Sequence, residues 1–451
     1  MEKFRENTAH TNYYQALKEA SDIGDVAREL IPDRITAENG YKLLCDCPNH
    51  NSDSQKSLHI DTRKQVWNCF GCGLGGDVIH LVEFINTGTV SKGRQGALKD
   101  SHQNARDYLA KRAKMPLLKH SGLSPEQMEA LEIQEKLDAT TYHCLTLMAS
   151  YYHEQLMKNP EVLQWFSQKY AISNSSISDL KIGYSDNGNN EDGILKRFRD
   201  SEFTMEDILS TGSFIHTPAG LIPLFKERIT FPYWMKGKGA VYMIGRKTPW
   251  TPDNHYELSK YKKLLVHSDK HHYVRKCINN SALFNEDCLN ERPSQIVLAE
   301  GITDTIAAME RGFHVVSPVT VQIPKNDQDR ICKKLEDYDG KVIVVHDNEI
   351  SGVGHQGAME TARLLFKYGV DARIGQLPLG PKQTEARQTL REVHQIGENL
   401  SHKELKNKLD AIVDDVQKQE VTSLIGNSKI DINDFFKDGH SKEDFQKILD
   451  E

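Results

Sequence analysis

At 451 residues with a formal net charge of -7, the chain has room for two to four domains with real cores, and its bulk charge does not commit it to a polyanionic partner. Four of its eight cysteines (Cys144, Cys277, Cys288, Cys332) are scattered, which argues against a disulfide framework and for a reducing compartment. No apolar run approaches the roughly 20 residues of a membrane span, and the polar N-terminus lacks a signal-peptide core, so a soluble cytoplasmic protein without a membrane partner is expected.

In chain order, residues 14–32 (YQALKEASDIGDVARELIP) carry helical spacing and stop at Pro32. Residues 41–72 read as a ribbon of short strands, and VWNCF is aromatic and β-branched as a strand should be. Within it lie Cys47, His50, Cys69 and Cys72, a C-x2-H pair and a C-x2-C pair separated by a hairpin-length spacer. Thiolate and imidazole at this spacing suit one tetrahedral, structural Zn2+. Cys45 competes for the first position, but Pro48-Asn49 makes the turn from Cys47 to His50. DVIHLVEFI follows as a helix with Asp77 at its N-cap, and a second helix covers about 102–114. SGLSPEQM (121–128) reads as a linker and helix start.

Residues 125–170 are strongly helical, and their aromatic and leucine stripe is best read as core packing. From about 180 strands take over, with RITFPYWM and AVYMIGR joined by a turn at KGKG. Residues 226–276 hold 12 Lys/Arg against 4 Asp/Glu within an acidic chain. Tyr233, Trp234, Tyr242, Trp250, Tyr256 and Tyr261 are interleaved with them. Cations that hold phosphates, beside rings on which bases stack, describe a nucleotide or single-strand surface; a solvated basic face over core aromatics is the competing account. Arg228, Arg246, Lys260, Lys262 and Lys263 are the candidates there, and Arg63, Lys64 and Trp67 repeat the style in the zinc hairpin.

From 295 strands and helices alternate (IVLAE, TDTIAAMERG, FHVVSP, KVIVVHD, GAMETARLLFKYG, ARIGQLP), the pattern of a parallel α/β sheet. Residues 381–429 form a polar, largely helical insertion. Two of the strands run into acids: IVLA into Glu300, with Asp304 soon after, and VIVVH into Asp347, with Glu349 soon after. Ligands of open parallel sheets bind at the carboxyl ends of strands. Acids gathered there repel one another without cations, and an all-oxygen set suits Mg2+. KIDINDFF adds Asp431 and Asp434. For each acid an ordinary loop carboxylate or cap is the alternative, and Asp304 alone is equally explained by a first-turn role in the helix dipole.

Together these motifs resemble a known family. LLCDCPNH…WNCFGCGLGGDVIHLVEFI resembles the CHC2-type zinc ribbon of DnaG-type bacterial and phage primases. EGITD and HDNE resemble the acidic motifs of a TOPRIM domain, and RITFPYW…VYMIGR with ELSKYKK resembles the basic part of the primase core. The resemblance runs over about 20–378 and resumes at DINDFF. It implies a multidomain α+β and α/β chain: a zinc-ribbon DNA-binding domain over 1–115, a helical linker over 116–180, a basic mixed α/β core over 181–293, and a TOPRIM domain over 294–451 with the insertion at about 381–429.

The implied activity is template-directed synthesis of short RNA primers on single-stranded DNA from NTPs. The implied cofactors are one structural Zn2+ and catalytic Mg2+ or Mn2+. The implied protein partner is a replicative helicase or another replication or mobile-element protein. By motif match Glu300 is the lead catalytic acid, with Asp304 beside it. Asp347, Glu349, Asp431 and Asp434 join it as metal ligands, and Arg228, Arg246 and Lys260 contact nucleotide or nucleic acid. The sequence departs from the family where Asp-x-Asp becomes Asp347-Asn348-Glu349, and again at Asp431-Ile432-Asn433. With no evident helicase-binding or fused helicase segment, the chain looks more like the compact primases of phages, plasmids and other mobile elements. A TOPRIM nuclease and a primase-like, DNA-binding recruiting subunit are the rival readings.

Overall fold

In the computed structural model, residues 13–50, 56–91, 100–118, 125–186, 193–218, 220–338 and 340–450 are described. The chain divides into two compact units, Met1–Ile133 and Gln134–Glu451. SGLS of the expected linker falls outside the described residues.

The first unit is built around a five-stranded antiparallel meander: β1 (Ile35–Asn39), β2 (Lys42–Cys45), β3 (Leu58–Asp61), β4 (Val66–Cys69) and β5 (Leu74–Gly76). The register sets Cys45 opposite Leu58 and Leu58 opposite Cys69. Alternation along β4 buries Trp67 and Cys69 and exposes Val66 and Asn68, as a period of two requires. The expected single helix over 14–32 is instead broken. Residues 13–19 are helical, and α1 (Ile23–Leu30) starts afresh because the Asp22 carboxylate caps the amides of Gly24 and Asp25. After β5 come α2 (Val78–Thr87), N-capped by Asp77 as expected, and α3 (Asp100–Arg112). Leu17, Ile23, Val26, Leu58, Ile60, Trp67, Phe84 and Leu109 form one core.

In the second unit the long helical stretch divides into α4 (Pro125–Met157) and α5 (Pro160–Tyr170), with the Asn159 side chain capping α5 and Pro160 at its first position. Helix α4 begins before the boundary between the units. An antiparallel sheet follows in the order β11-β10-β9-β6, from β6 (Gly183–Ser185), β9 (Arg228–Met235), β10 (Gly239–Lys247) and β11 (Tyr261–Lys263); β7 (Phe214–Thr217) and β8 (Gly220–Pro223) pair separately.

The parallel sheet has the order β13-β12-β14-β15, from β12 (Gln295–Ala299), β13 (Val315–Val316), β14 (Lys341–Val345) and β15 (Ala372–Ile374), and every pairing in it is parallel. Its helices are α6 (Ile302–Met309), α7 (Gln328–Tyr338) and α8 (Val353–Lys367). The insertion is helical as expected: α9 (Pro381–Glu392), α10 (His402–Asp410) and α11 (Asp415–Asn427). It returns through an antiparallel bridge between Asn348 and Ile430, with N–H···O distances of 2.9 and 3.0 Å. That bridge lays the chain before α12 (Ile432–Lys437) against the end of β14. Helix α13 (Lys442–Asp450) follows.

A zinc knuckle and an acidic cavity

The four zinc ligands converge. Sγ of Cys47 and Cys72 lie 3.7 Å apart, His50 Nδ1 is 3.1 Å from Cys72 Sγ and 3.9 Å from Cys69 Sγ, and one ligand atom from each of the four falls within 4.8 Å of the others. A tetrahedral ion about 2.3 Å from sulfur and about 2.0 Å from nitrogen holds its ligands about 3.5–3.8 Å apart, so the set fits one Zn2+. Backbone amides support the thiolates: Asn49 N donates to Cys47 Sγ and Cys72 N to Cys69 Sγ, both at 3.4 Å. A Cβ on Gly71 would fall 2.0 Å from His50 Nε2, so glycine is needed there for the imidazole to reach the site. Burial and the neighbouring Cys47 and Cys69 push the Cys72 thiol up to about 12, so zinc must displace thiol protons as it binds. Cys45 lies outside the cluster.

The second site lies at the carboxyl ends of β12 and β14, where the lining of a cavity of about 520 Å3 includes Glu300, Asp304, Asp347, Asp431 and Asp434. Carboxylate oxygens of Asp304, Asp347 and Asp431 lie within 4.8 Å of one another. Glu300 Oε2 is buried without a hydrogen-bond partner. Asp431 reaches the cluster through the Asn348–Ile430 bridge and caps α12 by accepting from Asp434 N at 2.7 Å. Asp304 accepts from Asn433 N at 3.1 Å, while the Asn433 side chain donates to the Tyr170 carbonyl at 2.5 Å. Asn433 thereby ties α5 to the third acidic motif. Asn348 is equally committed: its amide donates to Leu377 O, and its side-chain oxygen accepts from Arg387. Glu349 is half-buried and outside the cavity lining, but its charge raises Glu300 and Asp347.

Burial, then Asp347, pushes Glu300 up to about 7; burial, then Asp431 and Asp347, raises Asp304; burial, then Asp347, raises Asp431. The acids thus resist full ionisation without a cation, and an oxygen-only donor set with one orphaned buried oxygen fits Mg2+ or Mn2+. A carboxyl whose folded pKa lies above its unfolded value binds its proton more tightly in the folded state, so stability is lost as pH rises between the two values. For Glu300 the window runs from 4.5 to about 7. Without added divalent cation, urea unfolding of the second unit is expected to show about 3 kcal/mol less stability at pH 8 than at pH 5. Mg2+ should restore the difference and Glu300→Gln should reduce it. A pH-independent unfolding free energy would contradict this charge arrangement.

The same cavity is lined by Lys169, Tyr170, Arg246, Lys260 and Tyr261. The Arg246 guanidinium donates to the Tyr261 hydroxyl at 2.5 Å and lies 4.5 Å from the centre of the Tyr170 ring. Burial, then Arg246, holds the ammonium pKa of both Lys169 and Lys260 below the ordinary range. Such cations suit a triphosphate or nucleic-acid backbone.

Other expected contacts are not brought to the cavity. Arg228 is fully buried. Its Nε and Nη2 donate to Glu257 Oε2 at 3.0 and 2.9 Å, and its Nη1 donates to Ser259 O at 3.0 Å. Lys262 holds the other oxygen of Glu257 at 2.5 Å. These two residues secure the loop between β10 and β11. Lys263 lies outside the cavity lining, and burial, partly offset by Asp327, holds its ammonium pKa below the ordinary range. Tyr233 and Tyr242 are core residues, each 2% exposed. In the first unit Trp67 is also 2% exposed, stacks on Phe84 and donates to Asp77 O, so it is no base-stacking platform. Arg63 and Lys64 are exposed, Arg63 over the Tyr41 ring at 4.3 Å. The exposed ring of the knuckle is Phe70, edge-on to His59.

Lys169, Tyr170, Lys429 and Phe70 escaped the sequence reading. Lys429 had a signal, its place just before DINDFF, and so did Phe70, at an outward position between two zinc ligands. Lys169 had none.

Sequence comparison finds a matching family model and relatives among DNA primases. Residues 9–108 match the CHC2 zinc finger family of DnaG zinc ribbons. The DNA primase of Synechocystis is 23% identical over 388 residues, covering 83% of this chain and 55% of the relative. That of Aquifex aeolicus is 24% identical over 375 residues, covering 80% and 65%. The chain therefore spans between about half and two thirds of the length of these curated relatives. Among solved structures, the zinc-binding and RNA polymerase domains of the Aquifex aeolicus primase align with a TM-score of 0.44 at 20% identity, over 92% of this chain and 96% of that one. Among the described residues no helix is long and apolar enough to cross a membrane. With a CHC2 zinc finger match in its first unit and relatives named DNA primase over most of its length, the chain is similar to DnaG-type primases.

Proposed function

We propose that this protein is a DNA primase, which joins NTPs into short RNA primers on a single-stranded DNA template with Mg2+ or Mn2+. The observation that carries the reading is the cavity itself. Glu300 and Asp347 at the ends of parallel strands, with Asp304 and Asp431, share a single cavity with Arg246, Lys260 and Lys169, as a reaction between a hydroxyl and a triphosphate requires. Relatives named DNA primase, matching over most of this chain, support it.

In this reading Glu300, Asp304, Asp347 and Asp431 hold the divalent cation, with Glu349 and Asp434 completing the acidic field. When bound, the cation lowers the pKa of the attacking hydroxyl and offsets charge on the α-phosphate and the leaving pyrophosphate. Arg246, Lys260 and Lys169 hold the phosphates and orient them. Tyr170 and Tyr261 brace Arg246, which fixes the direction of its donors. In this reading Glu300, ionised once the cation is bound, takes the proton from the 3′-hydroxyl of the growing primer as it attacks. Zinc holds the first unit in shape, and Arg63, Lys64 and Phe70 offer the template a cationic, partly aromatic surface.

The test incubates the zinc-loaded chain with a library of single-stranded DNA templates, Mg2+ or Mn2+, and labelled NTPs. Short products complementary to the template support the reading. Binding without synthesis points to a recruiting subunit, and template degradation to a nuclease; either overturns it.

A further inference from the structure

The acid cluster brings a cation of its own. The Lys429 ammonium pairs with the Asp347 carboxylate and lies on the cavity wall with Glu300, Asp304 and Asp431. Its backbone is fixed on both sides. Ser428 O accepts from Arg387 Nε at 3.0 Å, and Ile430 exchanges two hydrogen bonds with Asn348. Ser428 and Ile430 are fully buried. The Lys429 side chain remains 31% exposed. Meanwhile the buried Oε2 of Glu300 has no donor. Lys260 and Arg246 also line the cavity, but it is the Lys429 ammonium that occupies the carboxylate at the end of β14.

We infer that Lys429 is a resident cation of the acid cluster, competing with a divalent metal ion for the Asp347 carboxylate and so setting how much metal the site requires. The inference rests on the metal-dependent reading of this cavity given above. A divalent ion that takes Asp347 must first displace the ammonium, and like charges this close oppose each other strongly in a partly dry cavity. The fixed backbone keeps Lys429 at the cavity after displacement, so the competition persists in the loaded site.

The test titrates Mn2+ by electron paramagnetic resonance into the zinc-loaded full chain, its fold checked by circular dichroism. Lys429→Met, with Lys429→Gln as a second neutral variant, is expected to bind Mn2+ about tenfold more tightly, or to take up an additional ion, because one opposing charge is gone. Lys429→Arg keeps the charge and should titrate like the unaltered chain. Adding Asp347→Asn should abolish the difference between the charged and neutral forms. Equal or weaker Mn2+ binding in both neutral variants overturns the inference and leaves the metal reading intact. Absence of any Mn2+ binding sensitive to Asp347→Asn overturns both.

Discussion

Stripping zinc with a chelator is expected to unfold the ribbon of the first unit. Cys47 and Cys69 are not appended to a finished core; with Cys45, Leu58 and Trp67 they are part of it. Structural zinc contributes about 10–16 kcal/mol in small zinc-binding peptides, whereas a whole domain is stable by only about 5–15 kcal/mol. Without the ion, the four thiol and imidazole groups gathered at one point lose the centre that holds them together. Hydrogen exchange followed by mass spectrometry checks this. Amides of β2 to β5 should lose protection in the chelated chain and regain it with Zn2+, while β12 and β14 keep theirs. Cys69→Ser should behave like the chelated chain. Full protection of the ribbon after complete zinc loss would show that its apolar core suffices alone.

Replacing Arg228 is expected to cost stability, not nucleotide affinity. Its guanidinium is fully buried on Glu257, itself 4% exposed. Removing one partner of such a pair leaves an uncompensated charge and typically costs about 3–5 kcal/mol. Lys262 keeps one oxygen of Glu257 neutralised, but the oxygen that accepted from Arg228, and the carbonyls of Glu257 and Ser259, lose their donors. Chemical denaturation of Arg228→Ala beside Lys260→Ala separates the two roles. The first should lower the unfolding free energy by that amount and leave the folded fraction with ordinary NTP binding. The second should keep its stability and lose NTP affinity. The opposite pattern would return Arg228 to the nucleotide site.

Arg228 also shows where the sequence stops speaking. A strand arginine among lysines has the texture of a phosphate-binding surface, and nothing local says that Glu257, 29 residues on, will meet it in the core. Tyr233, Tyr242 and Trp67 were ambiguous for the same reason: an aromatic in a strand serves core or ligand according to which face the sheet buries. The zinc knuckle was fully legible because its four ligands lie in two tight turns whose spacing alone satisfies a tetrahedral ion. The acids were legible in part. Apolar strands running into Glu300 and Asp347 announce the end of a parallel sheet. The approach of Asp431, however, depends on the Asn348–Ile430 bridge, formed across a three-helix insertion. Asn433 stood where the resembled motif has an acid, and Asn348 drew no role of its own. In the structure their amides hold the insertion and α5 against the site. The break at Asp22 is a local competition, in which a side-chain cap stabilises two short helices over one long one.

The central claim is that the acids at the ends of β12 and β14 are the catalytic centre. The most direct measurement compares the unaltered chain with Glu300→Gln in labelled NTP incorporation on single-stranded DNA, at matched zinc content and template binding. The account predicts template-dependent short products that fall by about a thousandfold or more in the variant, the scale expected when a reacting-centre charge is removed. Undiminished synthesis by Glu300→Gln, with zinc and template still bound, would place the chemistry elsewhere and contradict it.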